Sequence, residues 1–296
     1  MTMLRGCGTA LVTPFTAEGR VDEGALRELV DWQVREGIDF LVACGSTGEA
    51  ATLDPAERAR VVSVTVEAAR GRVPVVAGAT HNDTARVVEE VRRMCDAGAD
   101  GILSACPYYN KPGPEGLVRH FTAAADASTK PLILYNIPGR TGVNLAPQGA
   151  VRLAAHPRIA GIKESSGDLR QIMALLAIRP DDFAVYAGDD WIALAVLALG
   201  GDGLVSVVAN EVPALTRALV QAGLAGDLPH ARALLARLLP LMDANFLESN
   251  PAPVKAALHA MGRAGDHVRL PLLPASHATR EALRAALHAA GVEGLA

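Results

Sequence analysis

The chain has 296 residues, half of them hydrophobic but only 4% aromatic, and a formal net charge of −4. That length suits one large α/β barrel or two smaller domains, with a core built from Ala, Val, Leu and Ile. The slight acidity, with no long basic run and no stretch of 18 apolar residues, argues against nucleic acid or a membrane as partner.

In chain order, MTMLRGCGTALVTPF carries one Arg and is broken by Pro14, so it does not read as an export signal. The four cysteines, Cys7, Cys44, Cys95 and Cys106, lack C-x-x-C spacing, and free thiols in a reducing cytoplasm are expected. Short β-rich runs then alternate with amphipathic helical runs. Strands are predicted at 8–12, 40–43, 74–78, 101–105, 132–136, 159–163, 183–187 and 203–208. Helices are predicted between them at 22–36, 55–70, 84–97, 115–126, 147–155, 169–178, 191–199 and 212–222, with Asp54 and Pro55 as cap and first residue of the second. Eight such units point to a (β/α)8 TIM barrel over 1–226, and mostly apolar strands fit a parallel sheet covered on both faces. An open doubly wound sheet is the competitor, but no G-x-G-x-x-G or Walker A pattern supports it. Beyond Gly226 only helices are expected, at 229–246, 253–261 and 279–290. They form a C-terminal helical region, 227–296, packed on the barrel or on a neighbouring subunit.

Polar residues fall at the predicted C-terminal ends of the strands, where barrel active sites lie. Gly45-Ser46-Thr47-Gly48-Glu49 follows strand two: its hydroxyls and N–H groups suit a carboxylate, although an ordinary glycine turn has the same pattern. Tyr108 and Tyr109 follow strand four. Strand five ends in Tyr135, able to shuttle protons, with Arg140 beyond it, able to grip a carboxylate bidentately. Strand seven ends in Gly188-Asp189-Asp190, and strand eight carries Ser206. The eight histidines are scattered without metal-ligand spacing, and His230, His259 and His288 read as solvated.

The centre of this pattern is IAGIKESSGDL, residues 159–169, where an apolar run ends in Lys163. Burial disfavours the ammonium, and a neutral amine forms a Schiff base with a ketone. Glu164, next in the strand, points to the opposite face and is a poor partner for Lys163. A lysine snorkelling from a strand end is the bland alternative. A keto acid held by its carboxylate while Lys163 attacks its ketone fits the whole set.

GSTGE, PYYNKP, YNIPGRTG, the Lys163 strand and ESNPAPVK together resemble the pyruvate-dependent lysine aldolases, the family of N-acetylneuraminate lyase and dihydrodipicolinate synthase. Arg140 and Tyr109 look like the synthase branch; the sugar-acid aldolases typically lack that arginine. The resemblance implies Lys163 as Schiff-base residue and Tyr135 as acid/base. Ser46 and Tyr109 complete a hydroxyl relay, Tyr109 reaching in from a neighbouring subunit. Thr47 binds the pyruvate carboxylate, and Arg140 that of an aldehyde, L-aspartate-4-semialdehyde. The Val205 carbonyl and Gly188 line the site. It implies no cofactor and no metal, and a homotetramer built as a dimer of dimers. In members inhibited by L-lysine, an acidic residue and a histidine face the ligand's ammonium groups. Counting without gaps, those positions are Arg86 and Arg58 here, whereas Asn82 and Tyr108 match. Aldolases or dehydratases of the same family acting on sugar acids or hydroxyproline catabolites stay open, as do a non-catalytic keto-acid-binding barrel and a pyridoxal-phosphate enzyme using the same lysine.

Overall fold

The computed structural model describes residues 4–295; residues 1–3, where the N-terminal stretch read above begins, and residue 296 lie outside it. Strands β1 (Gly6–Ala10), β2 (Phe40–Ala43), β3 (Val75–Gly78), β4 (Gly101–Ala105), β5 (Leu132–Asn136), β6 (Ile159–Glu164), β7 (Ala184–Ala187) and β8 (Gly203–Ser206) pair in sequence order into a closed barrel. Every pair is parallel, and β1 closes on β8 with Gly6 opposite Gly203 and Val205 opposite Gly8. The helices around it are α1 (Glu23–Arg35), α2 (Pro55–Ala69), α3 (Thr84–Asp96), α4 (Pro114–Ala127), α5 (Pro138–Thr141), α6 (Pro147–Ala154), α7 (Leu169–Ile178), α8 (Ala193–Ala198) and α9 (Pro213–Leu224). Then come α10 (Leu228–Ala244), α11 (Ala252–Ala260) and α12 (His277–Ala289). Among the described residues no helix is long and apolar enough to cross a membrane.

The predicted (β/α)8 TIM barrel is therefore present, with shifts at element ends. β1 starts at Gly6, two residues early, because its first residues find partners in β8. β8 stops at Ser206 because the N–H groups of Val207 and Val208 turn to the Asp190 carboxylate, at 3.0 and 3.3 Å. The helix expected from Trp191 is a 3-10 turn followed by α8. IPGRTG, between the predicted fifth strand and the helix expected at 147–155, forms the single turn α5, opened by Pro138.

Closure sorts each strand by parity. Phe40, Val42, Val76, Leu103, Ile133, Tyr135, Tyr186 and Val205 face the lumen and form their own cluster. Phe40 and Tyr186 meet edge to face, 5.9 Å between centroids, and the Tyr186 hydroxyl donates to the Leu4 carbonyl at 2.6 Å. Two of the few aromatic side chains thus fill the barrel floor. Residues of opposite parity pack on the helices. Cys7, Cys44 and Cys106 are buried and unpaired, and burial pushes the Cys44 and Cys106 thiols up to about 12.

The C-terminal helices pack on the barrel of the same chain. Leu234, Leu238, Leu241, Leu283 and Leu287 share a core with Val208, Val212 and Leu219. α11 is buried almost all round and delivers Lys255, with no exposed surface, to Glu49 in the loop after β2. Burial pulls the Lys255 ammonium down to about 8, while the facing Glu49 carboxylate raises it. Removing one partner of such a pair leaves an uncompensated buried charge, at a cost of about 3–5 kcal/mol.

His120 of α4 is the buried histidine with a testable consequence. Its Nδ1 meets the Thr84 hydroxyl at 2.9 Å, its Nε2 has no partner among the described residues, and the ring stands edge-on to Phe121. Burial pulls the imidazole down to about 4, and the charge of Asp83 opposes the shift. The folded value lies below the ordinary one, about 6.5, so the unfolded chain takes the proton first as pH falls. Stability should drop between pH ~6.5 and ~4, by up to ~3 kcal/mol from this group. Denaturant unfolding of wild type and His120→Asn across that window should give a shallower slope for the variant; equal slopes would exclude the effect.

Candidate active site

Lys163 and Tyr135 sit opposite each other on neighbouring strands. Both point into the lumen and both are 6% exposed, with the Lys163 amine 4.3 Å from the centroid of the Tyr135 ring. Their successors, Asn136 and Glu164, point outward and bind each other at 2.9 Å. Glu164 also accepts from the Ser166 N–H at 2.6 Å, and Asn136 accepts from the Leu145 N–H at 2.9 Å. Glu164 is thus occupied on the helix side, as the alternation predicts, and leaves the Lys163 amine to the lumen. The turn of both strands into their loops is fixed from behind.

Gly188, at the end of β7, lets the lysine pass. A Cβ there would lie 2.0 Å from the Ser165 hydroxyl and 2.8 Å from both Cγ and Cε of Lys163. The Ser165 hydroxyl is buried without a protein partner among the described residues. Asp189 is half-buried: burial raises its carboxyl, while the Trp191 N–H and the Lys163 charge lower it. Asp190 faces away and accepts from the Ser206 hydroxyl at 2.5 Å. Ser206, counted from sequence among the rim residues, therefore turns to the helical layer. It pairs in register with Thr9, whose hydroxyl also points outward, to Gln33 at 2.6 Å. Val205 faces the lumen and is buried.

The loop from Cys44 to Glu49 begins and ends in the left-handed region, with φ 54 at Cys44 and 52 at Glu49. Residues other than glycine hold that conformation only where their surroundings impose it. Ser46 is exposed at the rim and Thr47 is 3% exposed. The Thr13 hydroxyl donates to the Gly48 carbonyl at 2.7 Å, and the Asn250 side chain donates to the Thr47 hydroxyl at 2.9 Å. Tyr109, with φ 72, is 87% exposed, so within one chain its hydroxyl completes no buried relay. Arg140 is exposed on α5, above the strand that carries Tyr135.

One chain thus gathers Lys163, Tyr135, Gly188 and Val205 at the C-terminal end of the lumen, with Ser46 and Thr47 on an adjoining loop; it leaves Tyr109 and Arg140 outside. A cavity of about 350 Å³ opens at the opposite mouth, between Leu4, Pro74, Pro131 and Tyr186. Its lining is mostly apolar but includes Asp100, and no lysine is part of it. Among the described residues no group of three His, Cys, Asp or Glu side chains converges as a metal site. Sequence reasoning set Asp189 at the end of strand seven and read Ser165 within IAGIKESSGDL and Asn250 and Lys255 within ESNPAPVK, but gave none of them a contact in the site; nothing local says that the last two reach the loop after β2.

A family model described as the dihydrodipicolinate synthetase family matches residues 3–290. The chain is 52% identical over 290 residues to the 4-hydroxy-tetrahydrodipicolinate synthase of Koribacter versatilis, covering 98% of this chain and 97% of that protein. It is 53% identical over 282 residues to that of Acidobacterium capsulatum, covering 95% and 93%. The structure of the chloride-inhibited dihydrodipicolinate synthase from Acinetobacter baumannii, complexed with pyruvate, superposes with a TM-score of 0.96 at 43% identity, over 98% of this chain and all of that one. Closed barrel, buried strand-end lysine and full-length similarity agree: the chain belongs to the dihydrodipicolinate synthetase family.

Proposed function

We propose that this chain condenses pyruvate with L-aspartate-4-semialdehyde to give 4-hydroxy-tetrahydrodipicolinate, through a Schiff base on Lys163. The observation that carries this reading is the buried Lys163 amine 4.3 Å from the Tyr135 ring, in a lumen otherwise lined by apolar groups. The Lys163 amine attacks the ketone carbon of pyruvate, and water leaves to give an iminium ion. The methyl group loses a proton, the iminium accepts the electron pair, and an enamine forms; no external cofactor is required. The enamine carbon attacks the aldehyde of the second substrate, whose oxygen takes a proton. The amine of that substrate then adds to the imine carbon, closing the ring and releasing Lys163.

Tyr135 passes protons in these steps. Ser46 and Tyr109 complete its relay, Thr47 holds the pyruvate carboxylate, and Arg140 holds the carboxylate of the semialdehyde. The Val205 carbonyl and Gly188 line the site. The catalytic barrel is residues 1–226 and the helical region 227–296. The 87% exposure of Tyr109 supports a site completed by a second subunit, within a homotetramer arranged as a dimer of dimers. The setting is the cytoplasm, where pyruvate and the semialdehyde meet the enzyme.

Borohydride added with pyruvate should trap an adduct on Lys163 alone, read by peptide mass mapping; an adduct elsewhere, or none, would exclude the mechanism. Arg140→Ala should keep that trapping while kcat/KM for the semialdehyde falls roughly 10- to 150-fold, the loss of one charged hydrogen bond of about 1.5–3 kcal/mol. Loss of trapping in this variant would reassign Arg140.

Inactive Tyr109→Phe and Lys163→Ala subunits, once exchanged, should recover activity, because some mixed sites hold both native groups. No recovery after verified exchange would place Tyr109 in its own chain's site.

Feedback by L-lysine should be absent. Arg58 is held by the Leu53 carbonyl at 3.1 Å and by Glu90 at 3.4 Å, and Arg86 is largely exposed, 3.8 Å from Asp83. Two cations thus stand where the resemblance implies groups that receive the ligand's ammonium ions. Like charges about 4 Å apart repel by about 4 kcal/mol at an effective dielectric near 20. Millimolar L-lysine at subsaturating pyruvate should leave the initial rate unchanged; a saturable loss of most of the rate would refute this.

A further inference from the structure

Neither Asn250 nor Lys255 has a role in the chemistry above, yet both end on the loop that carries Ser46 and Thr47. The Asn250 amide nitrogen reaches the Thr47 hydroxyl oxygen across 203 positions of sequence. A hydroxyl has two lone pairs and one proton. Asn250 occupies a lone pair, and no protein acceptor takes the Thr47 proton in the hydrogen bonds of the described residues. The O–H is therefore left to donate outward. Two residues on, Glu49 keeps its left-handed backbone while its carboxylate is gripped from the C-terminal region. Lys255 pairs with one oxygen, and the Arg269 N–H donates to the other at 3.1 Å. Lys255 is itself fixed by the His267 carbonyl at 2.8 Å and by the face of Phe15, 4.1 Å from its centroid. With Thr13 on the Gly48 carbonyl, three consecutive loop residues are each held by a distant group.

We propose that the C-terminal helical region is a working part of the keto-acid site. Asn250 is a positioning residue that presets the Thr47 hydroxyl as a donor to the substrate carboxylate, and the Glu49–Lys255 pair locks the loop in that geometry. This rests on the assignment of Thr47 to the pyruvate carboxylate. A donor already oriented loses little freedom when the anion arrives, so the gain appears in pyruvate binding. Aspartate at position 250 would reverse the arrangement: its carboxylate would accept the Thr47 proton, turn the hydroxyl away and set a like charge near the substrate's own carboxylate.

The test is steady-state kinetics with both substrates varied, on Thr47→Val, Asn250→Ala, Asn250→Asp and the double variant Thr47→Val/Asn250→Ala, with thermal unfolding of each. Thr47→Val and Asn250→Ala should each raise the pyruvate KM about 10-fold, and Asn250→Asp about 100-fold, with kcat and the semialdehyde KM within about twofold. In the Thr47→Val background, Asn250→Ala should add almost nothing, because both remove one coupled interaction. An unchanged pyruvate KM in Thr47→Val would overturn the assignment of Thr47 itself. An effect of Thr47→Val with an additive double variant would leave that assignment standing and overturn the positioning role. So would an Asn250→Ala variant that loses kcat and both KM values alike. Lys255→Met alone would strand the Glu49 carboxylate, so the lock is tested in Glu49→Gln/Lys255→Met, which removes both charges, and in Glu49→Gln, where Lys255, pulled down to about 8 by burial, can shed its proton. A raised pyruvate KM in whichever of these folds supports the lock, and an unchanged one overturns it.

Discussion

Closing eight parallel strands into a barrel imposes one constraint on which everything else here depends. Each strand can present only every second residue to the lumen, and those side chains stack in layers that fill it as a packed core. In β5 and β6 this puts Tyr135 and Lys163 inward in register and sends Asn136 and Glu164 outward as a bonded pair. Lys163 and Tyr135 are thus brought together by the same alternation that anchors the strands to the helices behind them. Phe40 and Tyr186 meet edge to face toward the opposite end of the lumen.

The buried acids are distributed so that none cancels the lysine. Asp190 is taken up by Ser206 and two backbone N–H groups, and Glu164 by Asn136 and Ser166. Glu49 is taken up by Lys255 and Arg269. Glu211 receives the Asn245 amide at 2.7 Å, and burial pushes its carboxyl well above the ordinary range. Half-buried Asp189, whose carboxyl burial raises, is the acid that the Lys163 charge lowers.

The loop after β2 shows how a strained segment is maintained. Its backbone departs from ordinary conformations at Cys44 and Glu49, and each departure costs on the order of 1–3 kcal/mol. Thr13, Asn250, Lys255 and Arg269 together offset that cost. Three of these four restraints come from a part of the chain that contributes no strand to the barrel, which explains why α11 is buried nearly all round although it lies outside the strand–helix repeat.

Local sequence was enough for much of this. Apolar runs bounded by Gly, Pro and polar clusters marked all eight strands, because a parallel strand buried on both faces must be apolar throughout. A single lysine after such a run singled out the buried Lys163, because burying an unpaired amine is costly. Alternation separated Lys163 from Glu164 without any coordinates. Element ends were less legible: β1 begins at Gly6 because β8 is there to pair with it, and IPGRTG folds into a turn that its proline only permits. Which parity faces the lumen on β8, and so sends Ser206 outward and Val205 in, was decided only by closure of the sheet. The contacts of Asn250 with Thr47 and of Lys255 with Glu49 join residues 203 and 206 positions apart. Periodicity describes a segment's own faces and carries no information on which distant side chain will meet them; that meeting is a property of the packed chain.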